Sequence, residues 1–269
     1  MTFMKLGFIG SGNMATAILN GAVRSGFLKG AEVGIFDIDP AQCVKVKAAY
    51  PDVQVMESVA KLMQSCEFVI PAVKPIYLRA VLAELTPYAS GKKIISIAAG
   101  WTFAMLTDIL NEKSGAQVLR VMPNTPAMVG EGFTALCEET TFTEDSMAWA
   151  KGLFETLGEV SVLPERLFDA VIAVSGSSPA YVYMFIEAMA DGAVKLGMPR
   201  KLAYRAAAQA VLGAAKMVLE TGEHPGKLKD DVCSPGGTTI EAVDMLERKG
   251  MRGAVLAAME ACADKCQKL

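Results

Sequence analysis

A chain of 269 residues, 52% hydrophobic, with a formal charge of −3 from 26 basic and 29 acidic residues, has material for two domains or one large one. Its interspersed charges build no field that would gather nucleic acid or an anionic bilayer, so the expected partner is a small molecule. Six cysteines without a CxxC pair, beside a single histidine, leave a transition-metal site short of ligands and fit reduced thiols in the cytoplasm.

The amino end shows no basic stretch followed by an apolar one, so no secretory signal is expected. It opens instead on LGFIGSGNMA, an apolar strand broken by two glycines. Short β-branched runs then alternate with amphipathic segments. Strands are predicted over 5–10, 32–36, 53–55, 68–73, 93–98 and 118–122, and helices over 14–25, 41–50, 58–64, 77–85 and 103–111. Uninterrupted apolar strands such as Phe68-Val69-Ile70-Pro71-Ala72-Val73 suit a parallel sheet covered on both faces, with Pro71 near the end of its strand. Two further strands, 132–137 and 160–163, flank a helix over 144–157 and extend the sheet. The fold class is therefore α/β, a Rossmann-type doubly wound sheet over residues 1–164.

After residue 164 the strand pattern stops, and residues 165–269 read as an all-helical domain. The apolar stretches 179–196 and 202–219 are interrupted by Glu187, Asp191, Lys195, Arg205 and Lys216. Asp, Lys or Arg at a bilayer centre costs about 2.5–3.5 kcal/mol, so these stretches read as buried helices and not as membrane spans. Ser178 is the expected N-cap of the first, with Pro179 in its first turn. Glu187, Asp191 and Lys195 form one narrow stripe on an otherwise apolar helix, which must be covered over most of its circumference. Close-packing Ala206-Ala207-Ala208 and Gly213-Ala214-Ala215 point to interlocking with a second subunit. The alternative is a monomer with a well-packed central helix.

Gly10, Ser11, Gly12, Asn13, Met14 and Ala15 follow a strand and open a helix, as a dinucleotide fingerprint requires. Gly10 makes the tight turn, Gly12 lets a pyrophosphate approach the backbone, and Ala15 takes the helix-to-sheet contact of the third glycine. Asp37 closes the next strand, where an acid accepts from a ribose 2′-hydroxyl, which favours NAD. Lys74 lies at the carboxyl edge of the sheet, where ligands of open α/β folds collect, and reads equally well as a solvated lysine. His224 precedes Pro225 at a helix boundary, where a structural turn accounts for it as readily as proton transfer. In Cys233-Ser234-Pro235-Gly236-Gly237-Thr238-Thr239-Ile240-Glu241, Thr238 and Glu241 have capping-box spacing, while two glycines beside three hydroxyls make a receptacle for a carboxylate. The turn Ser175-Gly176-Ser177-Ser178-Pro179 is a second hydroxyl-rich element.

Six blocks in order along the chain, IGSGNMA, AVKP, SIAAG, RVMPNTP, AVSGSSPAYVY and DVCSPGGTTIEAV, resemble the pyrroline-5-carboxylate reductases. The resemblance implies NAD(P)H-dependent reduction of (S)-1-pyrroline-5-carboxylate to L-proline, in a Rossmann domain followed by a helical dimerisation domain. It further implies a cytoplasmic homodimer, with larger rings of dimers occurring in the family, and an active site between the nucleotide domain of one subunit and the SPGGTT loop of its mate. By position, Ser234, Gly236, Gly237, Thr238 and Thr239 match the substrate loop, and Thr239 matches the hydroxyl that bonds the ring nitrogen. Gly10 to Ala15, Ala72, Val73, Lys74, Pro75, Ala98, Ala99 and Gly100 match cofactor contacts. NADP(H) is the expected cofactor and NAD(H) the alternative, because Asp37 and Asp39 stand where some members carry serine or threonine. A β-hydroxyacid dehydrogenase would instead need a catalytic lysine in the helical domain, for which Lys195 qualifies only by type. A nucleotide sensor without chemistry would have no use for SPGGTT.

Overall fold

The alternating pattern becomes an eight-stranded sheet in a computed structural model that describes residues 4–110 and 114–268. In chain order the elements are β1 (Met4–Ile9), α1 (Asn13–Arg24), β2 (Val33–Phe36), α2 (Pro40–Ala49), β3 (Gln54–Val55), α3 (Val59–Ser65), β4 (Cys66–Pro71), α4 (Pro75–Leu85), β5 (Lys93–Ser96), α5 (Phe103–Leu110), β6 (Gln117–Met122), β7 (Gly132–Cys137), α6 (Glu144–Glu155) and β8 (Gly158–Leu163). The helix predicted over 103–111 is α5, and its last predicted position lies outside the described residues. Pro71 is the last residue of its strand, where its missing N–H costs the ladder least.

The strand order is β3-β2-β1-β4-β5-β6-β7-β8. Leu6 and Phe8 of β1 pack with Ile18 and Leu19 of α1 and Phe154 of α6 in one layer. Met4, Ile9 and Val69 pack with Leu78 and Leu82 of α4 in the other. Each such side chain contributes about 1.5–3 kcal/mol when fully buried, so a slip of one residue in any strand would turn that contribution outwards. Chain order reverses between β1 and β4, which opens a crevice at their carboxyl ends. One joint departs from the parallel pattern: β7 runs antiparallel to β6. The connection between them is a short segment holding the 3-10 turn Thr125–Val129, too short for the crossover a parallel neighbour needs. Parallel pairing resumes with β8, after α6 supplies a crossover.

By contacts the chain divides into two compact units, Met1–Gly176 with Cys262–Leu269, and Ser177–Ala261. The strand pattern ends near residue 165, but packing on the sheet continues through α7 (Phe168–Val171), whose Phe168 and Val171 cover Ala135 and Cys137 of β7. A π-turn, Ile172–Gly176, closes the first unit. The second unit consists of α8 (Ser178–Lys195), α9 (Arg200–Thr221), α10 (Pro225–Asp231), α11 (Thr238–Arg248) and most of α12 (Met251–Cys266). Helices α8 and α9 meet through Ala190, Ala203 and Ala207, whose small side chains permit close backbone approach. The cap of α8 is Ser177 and not Ser178; Ser177 is already helical in its backbone, so the helix grows out of the preceding turn without the extended residue that a side-chain cap needs. Within the single chain α8 leaves Tyr183 and Met184 61% and 69% exposed. Among the described residues no helix is long and apolar enough to cross a membrane.

Candidate active site

The glycine-rich loop is shaped by the strand pair beneath it. Parallel pairing of Ile9 with Phe36 and with Pro71 brings three strand ends together. Gly10 N–H donates to Phe36 O at 2.7 Å and Ala72 N–H to Ile9 O at 2.7 Å. The chain can turn here only because Gly10 takes φ +94°; a Cβ on it would stand 2.6 Å from the Ala72 carbonyl oxygen. Gly12 answers a different need. Its backbone is extended, at φ −75°, and a Cβ there would meet nothing within 4 Å. Gly12 is itself the N-cap residue of α1, which has no side-chain cap and no acidic residue in its first turn. The N–H groups and positive end of α1 are therefore free for an anion. Ala15 is buried in the core layer between α1 and the sheet, as the fingerprint expects.

The residues expected from the sequence to contact the cofactor gather at the same edge. Ala72 and Val73 follow β4, Lys74 is the exposed N-cap residue of α4, and Pro75 is its first residue. Trp101 Nε1 donates to Pro75 O at 3.2 Å, tying this segment to the loop of Ala98, Ala99 and Gly100. Asp37 lies beside the glycine loop and accepts from Ser11 N–H at 2.7 Å, from Ser11 Oγ at 3.0 Å and from Asp39 N–H at 2.9 Å. Asp37 also lines a groove of about 710 Å³, together with Phe36, Ile38, Pro40, Val44 and Met56 among others. Its size and apolar walls suit a flat heterocycle.

Two polar tethers brace this edge. Asn124 receives the Phe133 N–H at 3.0 Å and donates to Ser175 O at 3.2 Å, linking the loop after β6 to the hydroxyl-rich turn. Arg120, only 5% exposed, pairs with Glu165 at 2.7 Å, and the same Glu165 oxygen accepts from Phe103 N–H. Cys266 is buried near the Gly100 backbone, and burial, then the Asp169 carboxylate, push its thiol up. Asn124 sits inside RVMPNTP, yet nothing in one sequence separates a tethering asparagine from a solvated one.

In the second unit Ser234-Pro235-Gly236-Gly237 forms a turn closed by Gly237 N–H donating to Ser234 O at 3.0 Å, with Gly236 at φ +68°. Proline at the second and left-handed glycine at the third position define a type II turn. A Cβ on Gly237 would overlap the Ser234 hydroxyl. The N-cap of α11 is Gly237, without a side-chain cap bond, so Thr238 and Thr239 are its first two residues and Glu241 merely an acid in the first turn. The expected capping box is absent because the left-handed Gly236 brings the helix start one residue earlier. Ser234, Thr238 and Thr239 are exposed, and their hydroxyls stand with uncapped N–H groups at one helix start. His224 is the N-cap of α10, with Nδ1 accepting from Gly226 N–H at 3.0 Å, which is the structural-turn role. Lys195 is the exposed last residue of α8. Among the described residues no cluster of three His, Cys, Asp or Glu could hold a metal.

Residues 165–269 match the family model for pyrroline-5-carboxylate reductase dimerisation, and residues 5–100 match NADP oxidoreductase coenzyme F420-dependent. The pyrroline-5-carboxylate reductase of Escherichia coli is 46% identical over 266 residues, covering 98% of each chain. The chain belongs to the pyrroline-5-carboxylate reductase family. The reductase of Methanosarcina acetivorans is 41% identical over 271 residues, covering 100% of this chain and 99% of its own. Among solved structures, the Plasmodium falciparum pyrroline carboxylate reductase with NADP bound superposes with a TM-score of 0.89 at 30% identity, covering 100% of this chain and 98% of that one. An Aspergillus terreus reductive aminase at 16% identity and a TM-score of 0.59 shares the fold alone.

Proposed function

We propose that this chain reduces (S)-1-pyrroline-5-carboxylate to L-proline with NADPH, as the last step of proline biosynthesis in the cytoplasm. The observation that carries the reading is the full-length match to reductases of that name at 41–46% identity, supported by two uncapped helix starts, one behind Gly12 and one behind Gly237. The uncapped α1 start behind Gly12 suits a pyrophosphate, and the groove beside Asp37 suits adenine. Gly10 to Ala15, Ala72 to Pro75 and Ala98 to Gly100 are assigned to cofactor binding.

NADPH, when bound, supplies the hydride. A protonated cyclic imine already carries an electrophilic carbon, so the protein's work is orientation, and no dedicated proton donor is required for that carbon to react. Ser234, Thr238 and the N–H groups at the start of α11 hold the substrate carboxylate, using the positive end of a helix that no side chain caps. Thr239 accepts from the iminium N–H and fixes the plane of the ring. The helical unit is assigned to homodimerisation, which would cover the exposed face of α8, with rings of dimers as the further assembly; light scattering measures both. The functional test is NADPH oxidation with pyrroline-5-carboxylate, with Thr239→Ala beside the parent enzyme. Turnover should fall by two orders of magnitude or more, as for loss of an orienting group, while NADPH affinity stays within about twofold. No oxidation by the parent enzyme would end the reading, and equal loss of turnover and affinity would remove Thr239 from its role.

A further inference from the structure

We propose that Asp37 is a positioning residue for the phosphate-binding loop and not a ligand of the cofactor ribose. The proposal rests on the NADPH reading above. The register of β1 on β2 puts Phe36 opposite Ile9, so the residues that follow, Asp37 on one strand and Gly10-Ser11 on the other, leave the sheet side by side. Ser11 is 3% exposed, and it turns both its N–H and its hydroxyl onto Asp37 Oδ2, at 2.7 and 3.0 Å, while Oδ1 takes the Asp39 N–H at 2.9 Å. A carboxylate offers about four acceptor sites; three are spent inside the protein.

Two consequences follow for the ligand. Gly10 N–H is held by Phe36 O and Ser11 N–H by Asp37, so the first two amides of the glycine loop are not available to phosphate. Recognition begins at Gly12 and runs into the uncapped first turn of α1. The acid that elsewhere accepts a ribose 2′-hydroxyl lines the groove half-buried with both oxygens already accepting from its own chain, which blunts its repulsion of a 2′-phosphate. An acid at this position and use of NADPH are thereby compatible. No free cation is needed from Lys47, whose ammonium is bonded to Val53 O at 2.7 Å.

The test measures dissociation constants for NADPH, NADH and adenosine 2′-monophosphate, which lacks the pyrophosphate, in Asp37→Ala, Asp37→Asn and Ser11→Ala. Asp37→Ala removes hydrogen bonds to a charged group and should weaken NADPH and NADH by the same factor, about tenfold or more. Adenosine 2′-monophosphate should stay within about twofold, and hydrogen exchange at Ser11 and Gly12 should quicken. Asp37→Asn keeps a carbonyl oxygen for Ser11 N–H and should recover most of the loss. Should Asp37→Ala not fold, Ser11→Ala severs the hydroxyl link alone and should weaken both dinucleotides by one smaller, common factor. A change of tenfold or more in the NADPH-to-NADH affinity ratio, or unchanged affinity for both, would overturn the proposal. Failure of the parent enzyme to bind NADPH would instead overturn the functional reading beneath it.

Discussion

Replacing Gly10 and Gly12 separately by alanine should split stability from cofactor binding, although the two sit two residues apart in one loop. At Gly10 the new Cβ meets a left-handed backbone, φ +94°, costing roughly 1–2 kcal/mol. It also meets the Ala72 carbonyl oxygen at 2.6 Å and Val73 Cγ1 at 3.2 Å. The Ala72 peptide is held by its own bond to Ile9 O, so relief requires movement of strand ends and not of a flexible side chain, an overpacking cost of about 1–3 kcal/mol. Together these give about 2–5 kcal/mol, or several degrees of melting temperature at about 2–4 °C per kcal/mol for a chain this long. At Gly12 the backbone suits alanine and no atom lies within 4 Å. Loss of a favourable cap residue is opposed by about 0.4–1 kcal/mol from a less flexible unfolded chain, so net stability should stay within about 0.5 kcal/mol. Its methyl group would nevertheless occupy the space over the start of α1, and NADPH should bind at least about tenfold more weakly. Calorimetry and fluorescence titration read the two effects independently. A Gly12→Ala protein that binds NADPH normally, or one that melts as early as Gly10→Ala, would refute the reasoning.

Glu165→Ala should lower the urea midpoint far more than Glu165→Gln: it strands the buried Arg120 guanidinium and the Phe103 N–H together, a loss of about 3 kcal/mol for an uncompensated buried charge. Burial would raise the Glu67 carboxyl, but the Lys5 and Lys93 ammonium groups, each 2.7 Å away, prevail and hold it below the ordinary range. Its stabilisation is present above the unfolded value of about 4.3 and is lost as pH falls through the lower folded one. Glu67→Gln should therefore flatten acid unfolding below about pH 4; an unchanged acid limb would count against the pair. Burial pushes the Cys66 and Cys137 thiols up to about 12, so at pH 8 only about one in ten thousand is thiolate. Mass spectrometry after alkylation of the native protein should find both unmodified, and early labelling of either would show that the core opens.

Much of this molecule is legible in the chain because its signals are local. Apolar runs at strand length, helices between them, Gly10 and Gly12 at a strand end and Pro235-Gly236 in a turn each declare themselves within about ten residues. What escapes is whatever depends on two distant segments meeting. The antiparallel β7 is set by the shortness of the connection after β6 and not by any residue within the strand, whose pattern suits either direction. The capping positions before α8 and α11 shift by one residue because the preceding turn decides where helical backbone begins, at Ser177 in one case and at Gly236 in the other. Asp37 is the sharpest instance. Read along the chain, it is an acid at the end of a second strand and points to a ribose; read across the sheet, Ile9 opposite Phe36 leaves its carboxylate nothing nearer than Ser11. Strand register therefore decides this residue's chemistry. Moving β2 by one position against β1 would free the acid for a ligand, but only by turning Val33 and Ile35 out of the core layer they share with Leu6 and Phe8. The same burial that fixes the sheet thus holds Asp37 against Ser11, the contact on which the proposal for this residue rests.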